Sequence, residues 1–132
     1  MKAIAGLLLF LIGIVPQETT HTFSALTYNI RYNTSADGKN AWPKRKESVL
    51  EVLVKEDATL IGLQEVLEGQ LAYLTNNLTA YDHVAVGRDD GRLEGEACPI
   101  LWRKDRFELL ATNTFGYQKH RICRAVKVGM PL

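Results

Sequence analysis

Apolar and polar positions along the chain fall into two alternating periods. Phe23 to Asn29 alternates and stops at a polar residue, the pattern of a strand with one covered face. Asn33 to Asn40, rich in Asn, Ser, Asp and Gly, reads as a loop. Trp42-Pro43 opens a helix, because proline suits a first turn, and Val49, Leu50, Leu53 and Val54 recur at helical spacing opposite Lys46, Glu47, Glu51 and Lys55. Thr59 to Leu63 is a short apolar run that predicts a buried strand, closed by Gln64 and Glu65. Leu67, Leu71, Leu74 and Leu78 mark a second amphipathic helix. Asp82 to Val86, Cys98 to Trp102 and Phe107 to Phe115 predict three more strands. Arg88 to Gly95 is a charged, glycine-bearing loop, and Lys104-Asp105-Arg106 is a turn. Strand, helix, strand, helix predicts a layered α/β domain.

Composition agrees with a single small domain: 132 residues, 46% hydrophobic and 23% charged. Lys2, the aliphatic stretch Ala3 to Val15 and Pro16 predict a secretory leader over residues 1–22, hence a secreted or periplasmic protein. The stretch falls short of the about 20 apolar residues that a membrane span needs. Cys98 and Cys123 are too few for a disulfide framework, leaving one bridge open. Formal net charge is +1; Gly116 to Leu132 holds Lys119, Arg121, Arg124 and Lys127 with no acid, and removing those four cations leaves −3. Nothing in that balance resembles a basic nucleic-acid-binding face.

Chemistry concentrates at two strand ends. A carboxylate directly after a buried strand, Glu65, is a candidate ligand for a divalent cation, since burying an unpaired charge is costly. Asn29, ending the first strand, carries an amide that can orient a water or a phosphoryl oxygen. Taken singly, each also reads as a surface acid or a turn-capping Asn. Arg88-Asp89-Asp90-Gly91 lacks the spaced acids of a calcium loop and reads as a turn, while His21, His83 and His120 offer no spaced zinc pair.

In combination, Thr27-Tyr28-Asn29-Ile30-Arg31-Tyr32, then Trp42 and Arg45, Ile61-Gly62-Leu63-Gln64-Glu65-Val66, Gly87-Arg88-Asp89-Asp90-Gly91 and Gly95-Glu96 resemble the endonuclease/exonuclease/phosphatase superfamily. The wording is nearest its deoxyribonuclease I-like branch. The resemblance implies a four-layer α/β sandwich, two sheets packed face to face with helices outside, of which this chain would be the incomplete N-terminal half over residues 23–115. It implies a phosphoester substrate, either nucleic acid or a small or lipid phosphoester, with Mg²⁺ or Mn²⁺ as cofactor and no obligate protein partner. Residue by residue, it implies that Glu65 binds the metal, that Asn29 supports the phosphate, nucleophile or metal, and that Arg31 lies near the substrate. Glu96 resembles the Glu that orients a catalytic His. As a lone loop acid without that His, it also reads as solvated.

The family's catalytic His residues, its Asp-x-Asn pair and its terminal Asp-His come from a later half that finds no match here. Similarity stops at Phe115. Read one base earlier from Gly116 onward, a consistent choice of codons spells W-L-S-K-T-P-N-M-P-G-S-K-G-W-D-A-A, which resembles the family's continuation. Residues 116–132 are therefore expected to be a frameshifted, non-native tail, and the polypeptide to be truncated and inactive. A secreted, non-catalytic α/β binding module that keeps the scaffold is the competing expectation.

Overall fold

Two neighbouring parallel strands, β1 (Ala25–Asn29) and β2 (Leu60–Gln64), set the frame of the computed structural model, which describes residues 22–114 and 127–129. Between them runs α1 (Trp42–Glu56), the crossover helix that a parallel pair requires. After β2 come α2 (Glu68–Asn77), β3 (Tyr81–Val84) and β4 (Ile100–Arg103). The sheet order is β1-β2-β4-β3, with β4 antiparallel to both of its neighbours. A separate antiparallel pair joins β5 (Glu108–Ala111) to β6 (Lys127–Gly129), with a register irregularity between Leu109 and Ala111. This is the expected mixed α/β arrangement. The anticipated leader, His21, His120, Cys123 and Phe115 lie outside the described residues.

Side-chain alternation divides the sheet into two chemically different faces. Ile61 and Leu63 on β2 and Leu101 on β4 are fully buried in one cluster with Val49 and Leu53 of α1 and Leu71 and Leu74 of α2. Leu26 and Tyr28 pack against that cluster from β1. Toward the end that leads to Glu65, the residues of β1 and β2 that face away from the cluster, Thr27, Asn29, Gly62 and Gln64, are small or polar, whereas Leu60 at the far end pairs with the buried Trp102. Gln64 Nε2 donates to Thr27 Oγ1 at 3.1 Å across the strand pair. Trp102 is buried outside the main cluster, beside Asp82, Lys104, Phe107 and Leu109.

Strand ends shift by one or two residues from expectation, and three further details differ. Asn33 to Asn40 is not wholly irregular: Ser35–Asn40 forms two short 3-10 turns joined at Gly38, whose φ of +55° reverses the chain. Val54 is 59% exposed, because the buried stripe of α1 is narrow and runs through Trp42, Val49 and Leu53. The strand expected from Phe107 is confined among the described residues to Glu108–Ala111.

At the opposite end of β2 from Glu65, charge ties the layers together. Asp57, in left-handed backbone at φ +40°, ends α1 and accepts from Arg103 Nη1 at 2.7 Å. Arg103 also makes a two-pronged pair with Asp105 at 3.0 and 2.9 Å. Both carboxylates hold the guanidinium more basic than usual, Asp105 most strongly.

Candidate active site

The register of β1 against β2 brings the site together. Asn29 pairs with Gln64, and Ile30 N donates to Gln64 O at 3.1 Å, so both strands end level. Each chain then turns through a residue in left-handed backbone: Arg31 and Glu65 both have φ of +59°. Non-glycine residues adopt that conformation at a cost, which surrounding interactions must offset. Here the offset is visible bond by bond.

Asn29 is fixed at both ends of its amide. Its Nδ2 donates to Glu65 Oε1 at 2.8 Å, while its Oδ1 accepts from Arg31 N at 2.9 Å. The second Glu65 oxygen, Oε2, accepts from Tyr32 N at 3.3 Å and lies 3.8 Å from Arg31 Nη1. These contacts hold the Glu65 carboxyl below its ordinary range: the Asn29 bond contributes most, then the Tyr32 amide, with partial desolvation opposing them.

Two side chains from the helices lock the turn from behind. Arg45 donates to the carbonyls of Ile30 and Arg31 and, through Nε, to Asn40 O at 2.9 Å. Its guanidinium stacks on Trp42 at 5.3 Å. Gln70, only 1% exposed, donates to Arg31 O at 2.9 Å and accepts from Asn33 N at 2.9 Å and Leu67 N at 3.2 Å. The last of these also satisfies an amide at the start of α2.

Arg31 stacks over the Tyr32 ring at 4.3 Å and grips Asp37 with two prongs, Nε to Oδ2 at 3.1 Å and Nη2 to Oδ1 at 3.0 Å. A shallow cavity beside these groups is lined by Tyr28, Asn29, Ile30, Arg31, Asp37, Asn40 and Arg45.

Of the residues singled out from sequence, Asn29, Arg31 and Glu65 come together. Glu96 does not join their hydrogen bonds. It follows Gly95 and accepts from Arg88 Nη1 at 3.1 Å, although the next residue, Ala97, bridges to Val66 beside Glu65. Its loop is tightly closed, since a Cβ on Gly87 would fall 2.3 Å from Glu94 O. Cys98 is exposed, and His83 is exposed on β3. Asp37 and Gln70 were not singled out from sequence, because a polar residue in a loop and a glutamine on an amphipathic helix look solvated until the turn at Arg31 is seen.

Glu65 and Asn29 offer hard oxygen atoms, the donor type that Mg²⁺ and Mn²⁺ prefer. Mg²⁺ is commonly held by one or two carboxylates with water completing its shell, so this pair fits part of such a site. Among the described residues no three His, Cys, Asp or Glu side chains cluster to enclose a metal.

No family model matches the sequence. A curated relative, the CCR4-Not complex 3'-5'-exoribonuclease subunit Ccr4 of Mycosarcoma maydis, is 27% identical over 111 residues, covering 70% of this chain and 17% of the relative. Among solved structures, an endonuclease/exonuclease/phosphatase protein from Bacteroides vulgatus superposes with a TM-score of 0.68 at 41% identity, over 70% of this chain and 36% of its own. The mannosyl-6-phosphatase Bt3783 of Bacteroides thetaiotaomicron superposes with a TM-score of 0.65 at 28% identity, over 69% of this chain and 35% of its own. The chain thus spans about a third of the length of these two structures.

Proposed function

The chain belongs to the endonuclease/exonuclease/phosphatase superfamily, and on that premise we propose that it carries the metal-binding half of a secreted or periplasmic phosphoesterase whose remaining catalytic groups lie beyond it. The 2.8 Å bond between Asn29 and Glu65 carries this reading. It joins an amide and a carboxylate from different strands at the one edge where both backbones turn left-handed.

In this reading Glu65, with Asn29, holds Mg²⁺ or Mn²⁺. A bound divalent cation neutralises phosphoryl oxygens and so makes the phosphorus more electrophilic. The Asn29 amide orients the phosphate or the attacking water, and Arg31 presents a guanidinium edge to the phosphoester anion. Glu96, one residue from the Ala97–Val66 bridge, serves the completed site by orienting a His supplied from elsewhere. Small phosphoesters are the favoured substrate class over long nucleic acids. The charge of −3 outside residues 116–132 disfavours a polyanion, and one relative at 28% identity is described as a mannosyl-6-phosphatase.

The 132-residue polypeptide alone is proposed to be inactive, because no His among the described residues bonds to Asn29 or Glu65, and Asp37, the acid that shares their cavity, is paired with Arg31 rather than left to activate water or protonate a leaving group. Residues 116–132 are proposed to be read out of frame. The gene should continue after the Phe115 codon in an alternative frame encoding the family-like phrase. Two polypeptides test both statements: the 132-residue chain and the product of the frame-restored gene, each given Mg²⁺ and bis(p-nitrophenyl) phosphate or a sugar phosphate. Turnover is expected only from the second and is lost on Glu65→Gln. Turnover by the 132-residue chain, abolished by Glu65→Gln, overturns the inactivity. A downstream sequence with no family-like frame overturns the frameshift.

A further inference from the structure

Arg31 stands between two carboxylates that it does not share equally. Two of its nitrogens bond Asp37 at 3.1 and 3.0 Å, whereas its nearest approach to Glu65 is the 3.8 Å contact from Nη1 to Oε2. The guanidinium is long, half-exposed and mobile by nature, while Asp37 is mostly covered, its side chain 17% exposed against 49% for Arg31. Asp37 also stands on a braced turn. Thr34 Oγ1 accepts from Ala36 N at 3.3 Å, Ala41 N donates back to Gly38 O at 3.3 Å, and Arg45 holds Asn40 O at the far end. The fixed partner of the pair is therefore the acid, and the Arg is the one held.

That asymmetry matters because Arg31 and a divalent cation are rivals for Glu65. Glu65 Oε1 is occupied by Asn29, and Oε2 already accepts from Tyr32 N on the side that faces Arg31. A guanidinium free to collapse onto Oε2 would take the remaining lone pairs and place a positive charge beside any metal. We propose that Asp37 is a positioning residue: by holding Arg31 aside, it keeps the Glu65 carboxylate open to a divalent cation. This rests on the reading of Glu65 as a metal ligand. The consequence is that a loop acid which is not itself a ligand sets the metal affinity of the site.

Mn²⁺ alone is the probe, titrated into the isotope-labelled 132-residue chain at low salt, with paramagnetic broadening of the Asn29 side-chain amide and the Glu65 backbone amide as readout. Broadening that saturates, and disappears in Glu65→Gln, is expected. Asp37→Asn is expected to weaken Mn²⁺ binding by roughly two- to fivefold, the range of exposed ion pairs. Arg31→Met is expected to bind at least as tightly as the unaltered chain. In the Arg31→Met background, Asp37→Asn is expected to change the affinity by less than about 1.5-fold, since no guanidinium remains to be held. Equal affinity for the unaltered chain and Asp37→Asn overturns the proposal while leaving Glu65 as a ligand. A full effect of Asp37→Asn without Arg31 also overturns it, because Asp37 would then act directly on the metal. Absence of any broadening dependent on Glu65 overturns both readings together. None of the substituted side chains belongs to the hydrophobic core, so the one-bond amide spectra of the variants should overlay on the parent away from the site.

Discussion

Asn29 Nδ2 and Glu65 Oε1 lie 2.8 Å apart although 36 positions separate them in the chain. The contact exists because β1 and β2 are parallel neighbours with Asn29 level with Gln64. It removes a donor from solvent and stabilises the ionised carboxylate. Asn29→Ala should therefore raise the pKa of Glu65 toward the ordinary carboxylate range, read from the side-chain carboxyl ¹³C shift against pH. A shift curve unchanged from the parent would show that the bond does not form in solution.

Gln70 is a buried amide with three hydrogen bonds, to Arg31 O, Asn33 N and Leu67 N. Gln70→Leu keeps much of the volume and strands those backbone groups, so it should cost about 2–3 kcal/mol in denaturant unfolding. The Asn33 amide should become the one whose hydrogen exchange accelerates most. Uniform acceleration across the sheet would indicate a general packing defect instead.

Leu101 is fully buried and pairs with Ile61 in the centre of the sheet, while Val54 projects from α1 into solvent. Leu101→Ala is expected to destabilise by about 2–5 kcal/mol. Val54→Ala should stay within about 0.5 kcal/mol of the parent. Similar losses at both positions in urea titrations would mean that α1 is rotated relative to the structure.

Acid should weaken the fold through Asp105 and Asp90. Both carboxyls are held below their ordinary range, Asp105 by the Arg103 hydrogen bonds and Asp90 chiefly by the Arg92 backbone amide, with the Glu94 amide adding to it. A depressed folded-state pKa means that the contribution is complete above the unfolded value, about 3.9, and is lost as pH falls through the folded value. Melting temperature should thus be level near neutrality and fall below about pH 4. Asp105→Asn should shrink that fall, which thermal scans from pH 7 to 2.5 can measure.

The alternating strands and the two leucine-spaced helices are legible in the sequence because burial imposes their periods. Val54 misleads because the buried stripe of α1 runs through Val49 and Leu53 with Leu50 packed beside it, and a valine one step off that stripe emerges into water. The site divides along the same line. Asn29 and Glu65 announce themselves by ending apolar runs. Asp37 carries no such signal, since its importance comes from where Arg31 reaches after a left-handed turn, a tertiary fact with no local pattern. Glu96 is legible as a residue but not in its partner, because its pairing with Arg88 depends on the tight closure of the loop between them.

The strand order has a dynamic consequence. Among the described residues, β2 is flanked by β1 and β4, whereas β1 is an outer strand bonded within this sheet to β2 alone. Glu65 therefore follows a strand secured on both sides, and Asn29 and Arg31 follow one that can peel away singly. Partial opening of the fold would detach the amide and the guanidinium together while leaving the carboxylate in place. The two sides of this edge thus have different lifetimes: the Glu65 carboxylate persists through fraying, and the Asn29 amide and Arg31 guanidinium come and go with the outer strand.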